Sequence, residues 1–214
     1  MLRRALLTAL AFAAITAAQP AAAAGSALPP PLSDEDKALV DRAAAYLDGL
    51  GQMRGRFVQT DTRGSTSLGE LFLSRPGKAR FDYQSPASML VVSNGNTVIV
   101  YDRRLKTFDR YPLASTPLAL FLQKHVRLDQ KVVVTRVDRL PGGFAITAHD
   151  GKHKAQGQIT LTFADSPMLL REWSIVDAQG GRTSVRLNGL EPAAGLDPQL
   201  FVLNEPRSGP PLIR

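Results

Sequence analysis

The fold turns on one stretch, Gly69-Glu70-Leu71-Phe72-Leu73-Ser74-Arg75-Pro76-Gly77-Lys78-Ala79-Arg80-Phe81-Asp82-Tyr83. Leu71 and Leu73 stand two apart before the break, and Phe81 and Tyr83 two apart after it. A spacing of two places side chains on one face of a pleated strand. Between the pairs, Arg75-Pro76-Gly77-Lys78 carries turn chemistry, because proline presets φ and glycine admits positive φ. The stretch predicts two antiparallel strands, each with an apolar face that must be covered.

The same period continues on both sides. Strands are expected at roughly 53–62, 67–75, 79–84, 89–93, 97–102 and 106–111, then at 131–139, 143–150, 157–164, 169–177 and 181–189. Met53 and Phe57 share a face of the first, and Ile159, Leu161 and Phe163 share one of the ninth. Asn94-Gly95 between Leu90-Val91-Val92 and Val98-Ile99-Val100 predicts a hairpin with a type I′ turn, which needs positive φ twice. Strands 89–93 and 97–102 are apolar on both faces, so Val91 against Val92, and Ile99 against Tyr101, stay unassigned.

Two helices interrupt the pattern. Ser33 reads as an N-cap, with Asp34, Glu35 and Asp36 in the first turn, where negative charge suits the helix dipole. Leu39, Ala43, Tyr46, Leu47 and Leu50 then form a helical stripe that Gly49 and Gly51 should stop. A second helix is expected after Ser115 or Thr116, with Pro117 in its first turn and Leu118, Phe121 and Leu122 on one face. Eleven short strands with tight turns fit an antiparallel sheet, a barrel or a sandwich. One large curved sheet with two amphipathic helices is the economical arrangement. Whether the concave side is a plain core or a hollow is open at this level.

The chain has 214 residues, 44% of them hydrophobic, which suits one domain or two small ones. It has no cysteine, so a disulfide scaffold, a thiolate zinc site and a cysteine nucleophile are excluded. Arg3-Arg4, an uncharged run from Ala5 to Ala18 and Ala22-Ala23-Ala24 follow the grammar of a cleaved signal peptide over residues 1–24. The run is too short and alanine-rich for a comfortable membrane anchor, the competing reading. Residues 25–32 read as a Pro-rich leader, 33–205 as the folded domain and 206–214 as a flexible tail, with Phe201-Val202-Leu203 expected to dock. The formal charge of +7 falls to +5 without Arg3 and Arg4. Such an excess serves solubility and is compatible with anionic lipid or an acidic partner. No basic block is interleaved with aromatics, so nucleic acid is not expected.

Catalytic chemistry has little to stand on. There is no GxSxG, HExxH, Walker loop or GxGxxG. His149 and His153 are four apart with Asp150-Gly151 turning between them, and His125 is remote, so no metal site is expected. Glu70 and Glu172 lie on strands with nothing in the spacing to bring them together. The expectation is a protein without enzymatic activity, cofactor or metal.

Three segments in this order resemble the family of LolA-type periplasmic carriers of outer-membrane lipoproteins. They are Met53-Arg54-Gly55-Arg56-Phe57-Val58-Gln59, the opening stretch 69–83, and Val92-Ser93-Asn94-Gly95-Asn96-Thr97-Val98-Ile99-Val100-Tyr101-Asp102. Thr116-Pro117-Leu118 and Phe201-Val202-Leu203-Asn204-Glu205-Pro206 are similar to its later elements. Phe81 and Ile99 stand where the family often has tryptophan, and Asn94 where it has aspartate; the apolar character and the turn are kept. The resemblance implies a mainly β fold: one curved antiparallel sheet of about eleven strands forming an unclosed half-barrel under an α-helical lid. It implies a periplasmic monomer that takes acylated lipoproteins from an inner-membrane ABC transporter and delivers them to the outer membrane, in many members to a receptor there. Arg75 is then expected to latch the lid by donating to its backbone carbonyls. The acyl chains would meet Phe57, Leu71, Leu73, Phe81 and Tyr83 from the sheet, and Leu47, Leu50, Leu118, Phe121 and Leu122 from the lid. A binder of another lipid, or a lipid-sensing regulatory domain, is the alternative.

Overall fold

The computed structural model describes residues 31–116, 118–124, 132–151 and 157–204. Residues 1–30, with the expected signal peptide and most of the leader, lie outside them, as do Pro117, His125, His153 and the tail 206–214. Leu32, the last residue of the expected leader, packs partly buried against the core.

Helix α1 (Asp34–Gly49) is followed by β1 (Gln52–Thr60), β2 (Thr66–Ser74), β3 (Lys78–Tyr83), β4 (Met89–Asn94), β5 (Thr97–Asp102) and β6 (Thr107–Pro112). A 3₁₀ turn (Leu113–Ser115) and α2 (Leu118–Leu122) lead to β7 (Val132–Leu140), β8 (Gly143–Asp150), β9 (Gln158–Asp165), β10 (Met168–Val176) and β11 (Arg182–Pro192). A final 3₁₀ turn spans Pro198–Phe201. All eleven strands form one sheet in the order β6-β5-β4-β3-β2-β1-β11-β10-β9-β8-β7. Each neighbour pair is antiparallel, and only β1 with β11 joins strands distant in sequence. Among the described residues β6 and β7 do not pair, so the sheet is not closed into a barrel.

The sheet is strongly bent. Phe81 on β3 and Trp173 on β10 stand four strands apart, roughly 19 Å in a flat sheet at about 4.8 Å per strand. Their ring centroids are 5.9 Å apart. Helix α1 confirms the bend as a chord across the arc. Near its start, Arg139 of β7 lies 3.1 Å from Asp36 and 3.4 Å from Glu35. Midway, Arg42 meets Asp165 at 2.5 Å, and the Tyr46 hydroxyl accepts from the Leu170 N–H at 3.1 Å. At its end, Asp48 lies 3.7 Å from Arg75, just past β2. The step from Asp36 to Asp48 is ~18 Å of helix.

Local chemistry explains α1. The Ser33 hydroxyl accepts from the Asp36 N–H at 3.1 Å, relieving one of the unpaired donors of the first turn. Leu39, Val40, Ala43 and Leu47 are buried on the concave side, each large side chain contributing about 1.5–3 kcal/mol by leaving water. The helix ends at Gly49 with Leu50 as an extended C-cap, so the stop is not a left-handed glycine.

Register assigns the two ambiguous strands. Phe81 pairs with Val91, and Val91 with Val100, so these face the concave side. Val92 pairs with Ile99 and Leu90 with Tyr101, on the convex side. Ile99 and Tyr101 thus share one face, as a period of two requires, and were never alternatives. Leu90, Val92 and Ile99 are buried although convex, in the part of the sheet that the Pro198–Phe201 turn covers with buried Phe201. Arg80 donates to the Leu200 carbonyl at 3.2 Å there. The Asn94-Gly95 hairpin is present, but its turn is not type I′. Positive φ occurs at Gly95 alone, as in a type II′ turn, and Asn94 instead accepts from the Asn96 and Thr97 N–H groups.

Candidate functional site

The concave face carries an aromatic line running from sheet to lid. Phe57 meets Phe81 and Tyr83 edge-on at 5.6 and 5.0 Å, and Phe81 meets Trp173 edge-on at 5.9 Å. Trp173 then stacks on Phe121 of α2 at 5.5 Å. A second group joins α1 to the far half of the sheet: Tyr46 lies edge-on to Phe163, which stacks on Phe144. Edge-to-face and offset contacts of this kind add about 0.5–1.5 kcal/mol each beyond area burial.

Of the residues expected along this surface, Leu47, Leu50, Phe57, Leu71, Leu73, Phe81, Tyr83, Phe121 and Leu122 lie in one buried cluster, and Leu118 packs against it partly buried. Leu50 belongs to it from the C-cap of α1. Gly69 leaves room for this packing, since a methyl there would lie 2.4 Å from the Phe57 ring. A polar pair lies within the face: the Tyr83 hydroxyl donates to Gln59 Oε1 at 2.7 Å. Burial pushes that phenol up to about 12, with the Gln59 hydrogen bond acting in the opposite sense.

Arg75 sits where the lid meets the sheet. Its side chain is only 4% exposed. Its Nη2 donates to the Gln123 carbonyl just past α2, and its backbone N–H donates to the Gly51 carbonyl at 3.2 Å. The neighbouring Gly77 N–H donates to the Leu122 carbonyl at 2.8 Å. The C-terminal carbonyls of a five-residue helix are thus held by the β2–β3 turn. Arg75 Nε and Nη1 are buried without a hydrogen-bond partner among the described residues. Burial lowers the guanidinium pKa from its ordinary value, and Asp48 counters this by charge. Such under-satisfied buried donors cost free energy.

Trp173, Tyr46 and Phe144 are absent from the sequence reading of the surface. β10 carries a bulge between Leu170 and Glu172, which shifts the alternation so that Leu170 and Trp173, three apart, both point inward. A period-two reading misses such a residue; that Trp173 is the single tryptophan was the available signal. The residues weighed for catalysis are dispersed. Glu70 and Glu172 are on the convex face, where Glu172 meets Arg186 at 3.3 Å. No cluster of three metal-ligating side chains occurs among the described residues, and no described helix is long and apolar enough to cross a membrane.

Comparison with known proteins bears on this arrangement. A protein from Azotobacter vinelandii named outer-membrane lipoprotein carrier protein is 29% identical, over 84% of this chain and 89% of its own. A Chromobacterium violaceum protein of the same name is 27% identical, over 92% and 94%. The solved structure of a DUF1329 family protein from Desulfovibrio piger shares the fold at a TM-score of 0.50 and 12% identity, covering 79% of this chain and 98% of that one. Residues 48–204 match the family described as outer membrane lipoprotein carrier protein LolA, a span that runs from the end of α1 through the final 3₁₀ turn, and on that match the chain belongs to the LolA family.

Proposed function

We infer that this protein is a periplasmic carrier that shields the acyl chains of lipoproteins on their way to the outer membrane. Family membership and the relatives' names support the cargo and the compartment. The structural observation that carries the reading is a bent apolar face covered by a short helix, itself fixed by the β2–β3 turn, and not by a second sheet. The physical demand is severe, because each acyl CH₂ left in water costs about 0.8 kcal/mol. Dispersion and area burial are non-directional, so a surface of aromatic and aliphatic side chains accepts sliding chains without fixing their register.

Acyl chains would displace Phe121 and Leu122 from the aromatic line and occupy the face of Phe57, Leu71, Leu73, Phe81 and Tyr83, with Leu47, Leu50 and Leu118 at the margin. Arg75 acts as the latch of the empty state: its hydrogen bond to the Gln123 carbonyl competes with cargo for the closed lid. Nothing in this reading requires catalysis. No nucleotide-binding loop is present in the sequence, so the work of loading falls to a partner, an inner-membrane ABC transporter, with an outer-membrane receptor as the acceptor where one exists.

Native mass spectrometry of the protein isolated from periplasm tests the cargo. Bound acylated protein is the expected result. Free lipid alone would instead support the reading of a binder of another lipid. Arg75→Leu tests the latch. A charge-assisted hydrogen bond is worth about 1.5–3 kcal/mol, so its loss should slow release in a transfer assay by about tenfold or more. Release at the normal rate rules out the latch.

A further inference from the structure

The two ends of the sheet differ. The β2–β3, β4–β5, β7–β8 and β9–β10 connections lie at the end that α1 and α2 grip; those of β1–β2, β3–β4, β5–β6 and β10–β11 lie at the other. One of the latter stands out. In Arg103-Arg104-Leu105-Lys106, between β5 and β6, Leu105 is 58% exposed, the highest value among the exposed large hydrophobic residues described. Arg104 and Lys106 flank it, both exposed.

The turn is held as a firm tip. Asp102 Oδ1 accepts from the Arg104 and Leu105 N–H groups at 2.8 and 2.9 Å, and the Arg103 N–H donates to the Ser88 carbonyl at 2.8 Å. Lys106 takes a positive φ of 57°. Arg103 is tied to Asp82 at 2.6 Å. One register step below the tip, Tyr101 and Phe108 stack with centroids 4.3 Å apart. The acids nearby are Asp82, paired with Arg80 and Arg103, Asp102, whose carboxylate oxygen caps the turn, and Asp109 further down β6. The sequence of features along the hairpin is therefore an apolar apex, cationic shoulders and an aromatic collar.

We propose that the β5–β6 turn is a membrane-contact tip, which sets Leu105 among the headgroups of an anionic phospholipid surface while Arg104 and Lys106 pair with lipid phosphates. The chemistry favours lipid over protein. A stable protein interface buries roughly 800 Å² per side, far more than a four-residue turn offers. A fluid lipid surface accepts a single apolar point, attracts each nearby cation, and places tyrosine and phenylalanine rings at its polar boundary. Contact of this size is weak and salt-sensitive, as a protein that must leave again requires. The proposal goes beyond cargo binding and does not depend on it.

Flotation of the whole protein with vesicles tests it. Vesicles containing phosphatidylglycerol should carry the protein at low salt and lose it at high salt, and pure phosphatidylcholine vesicles should not carry it. Leu105→Asp, and separately Arg104→Ser with Lys106→Ser, should each weaken binding by about tenfold, the order expected from one or two cationic contacts at an anionic surface. Thermal transitions equal to the parent's show that the variants fold. Absence of binding to the phosphatidylglycerol vesicles overturns the proposal. So does equal binding to phosphatidylcholine, or full binding by both variants. Cargo loading, measured in parallel, should be normal in both variants, so a failed tip and a failed carrier reading are told apart.

Discussion

Asp82 shows how single groups set the molecule's response to pH. It stands on the convex face of β3 between Arg80 at 2.7 Å and Arg103 at 2.6 Å. Burial alone would raise its carboxyl pKa, but hydrogen bonds and charge from Arg103 and Arg80 outweigh this and hold it below the ordinary value. A carboxylate with a depressed folded pKa contributes stability above its unfolded pKa and loses it as pH falls through the folded one. Asp82→Asn should therefore lower Tm at neutral pH by a few degrees, for a loss of about 1 kcal/mol. The deficit should vanish in acid below the carboxylate range, which a melting series across pH checks. Tyr83 works at the other extreme. With its phenol raised to about 12, the fold resists ionisation, and the stability it contributes is whole below the ordinary value of 10 and lost between 10 and 12. An alkaline absorbance titration should find one of the four tyrosines ionising near 12. At this scale the sequence names the residue types but not the partners: nothing in the order of residues says that Arg103 reaches back across a hairpin to Asp82.

Among elements, the β2–β3 turn does most to shape the site. Gly77 has φ of +79°, and a methyl there would lie 2.8 Å from the Gly95 Cα of the adjacent hairpin. Its own N–H holds the Leu122 carbonyl of α2. Gly77→Ala should thus destabilise by about 1–3 kcal/mol through backbone strain. It should also raise hydrogen exchange in α2 more than in α1, which separates a loosened lid from general instability. The turn itself is legible in Arg75-Pro76-Gly77-Lys78, since proline and glycine announce it. The strands are legible for the same reason, their alternation and their punctuation being local. Bulges are not local. The shift at Leu170/Glu172 in β10, and that at Arg54/Arg56 where β1 meets β11, depend on which strand lies alongside, and the first decides that Trp173 joins the concave face.

For the whole molecule, the bend is the property that sequence left open. Curvature accumulates from small twists over eleven strands, and no window of residues carries it. Its consequence is that Phe81 and Trp173, from opposite halves, touch under Phe121. The only tryptophan therefore sits, 3% exposed, at the junction of lid and sheet. Loading with an acylated peptide should separate Phe121 from it and change its emission; an unchanged spectrum on saturation would show that the lid stays shut. The strand order has another consequence. β1 to β6 and β7 to β11 are each a simple up-and-down run, and among the described strands the pairing of β1 with β11 is the sole long-distance seam, at the middle of the sheet. A chain made from its N-terminus must leave one side of β1 bare until β11 arrives almost at the end of synthesis. Seam closure should then be the slow step of folding, and the bare flank the place where a newly made copy is most exposed to sticking to its neighbours.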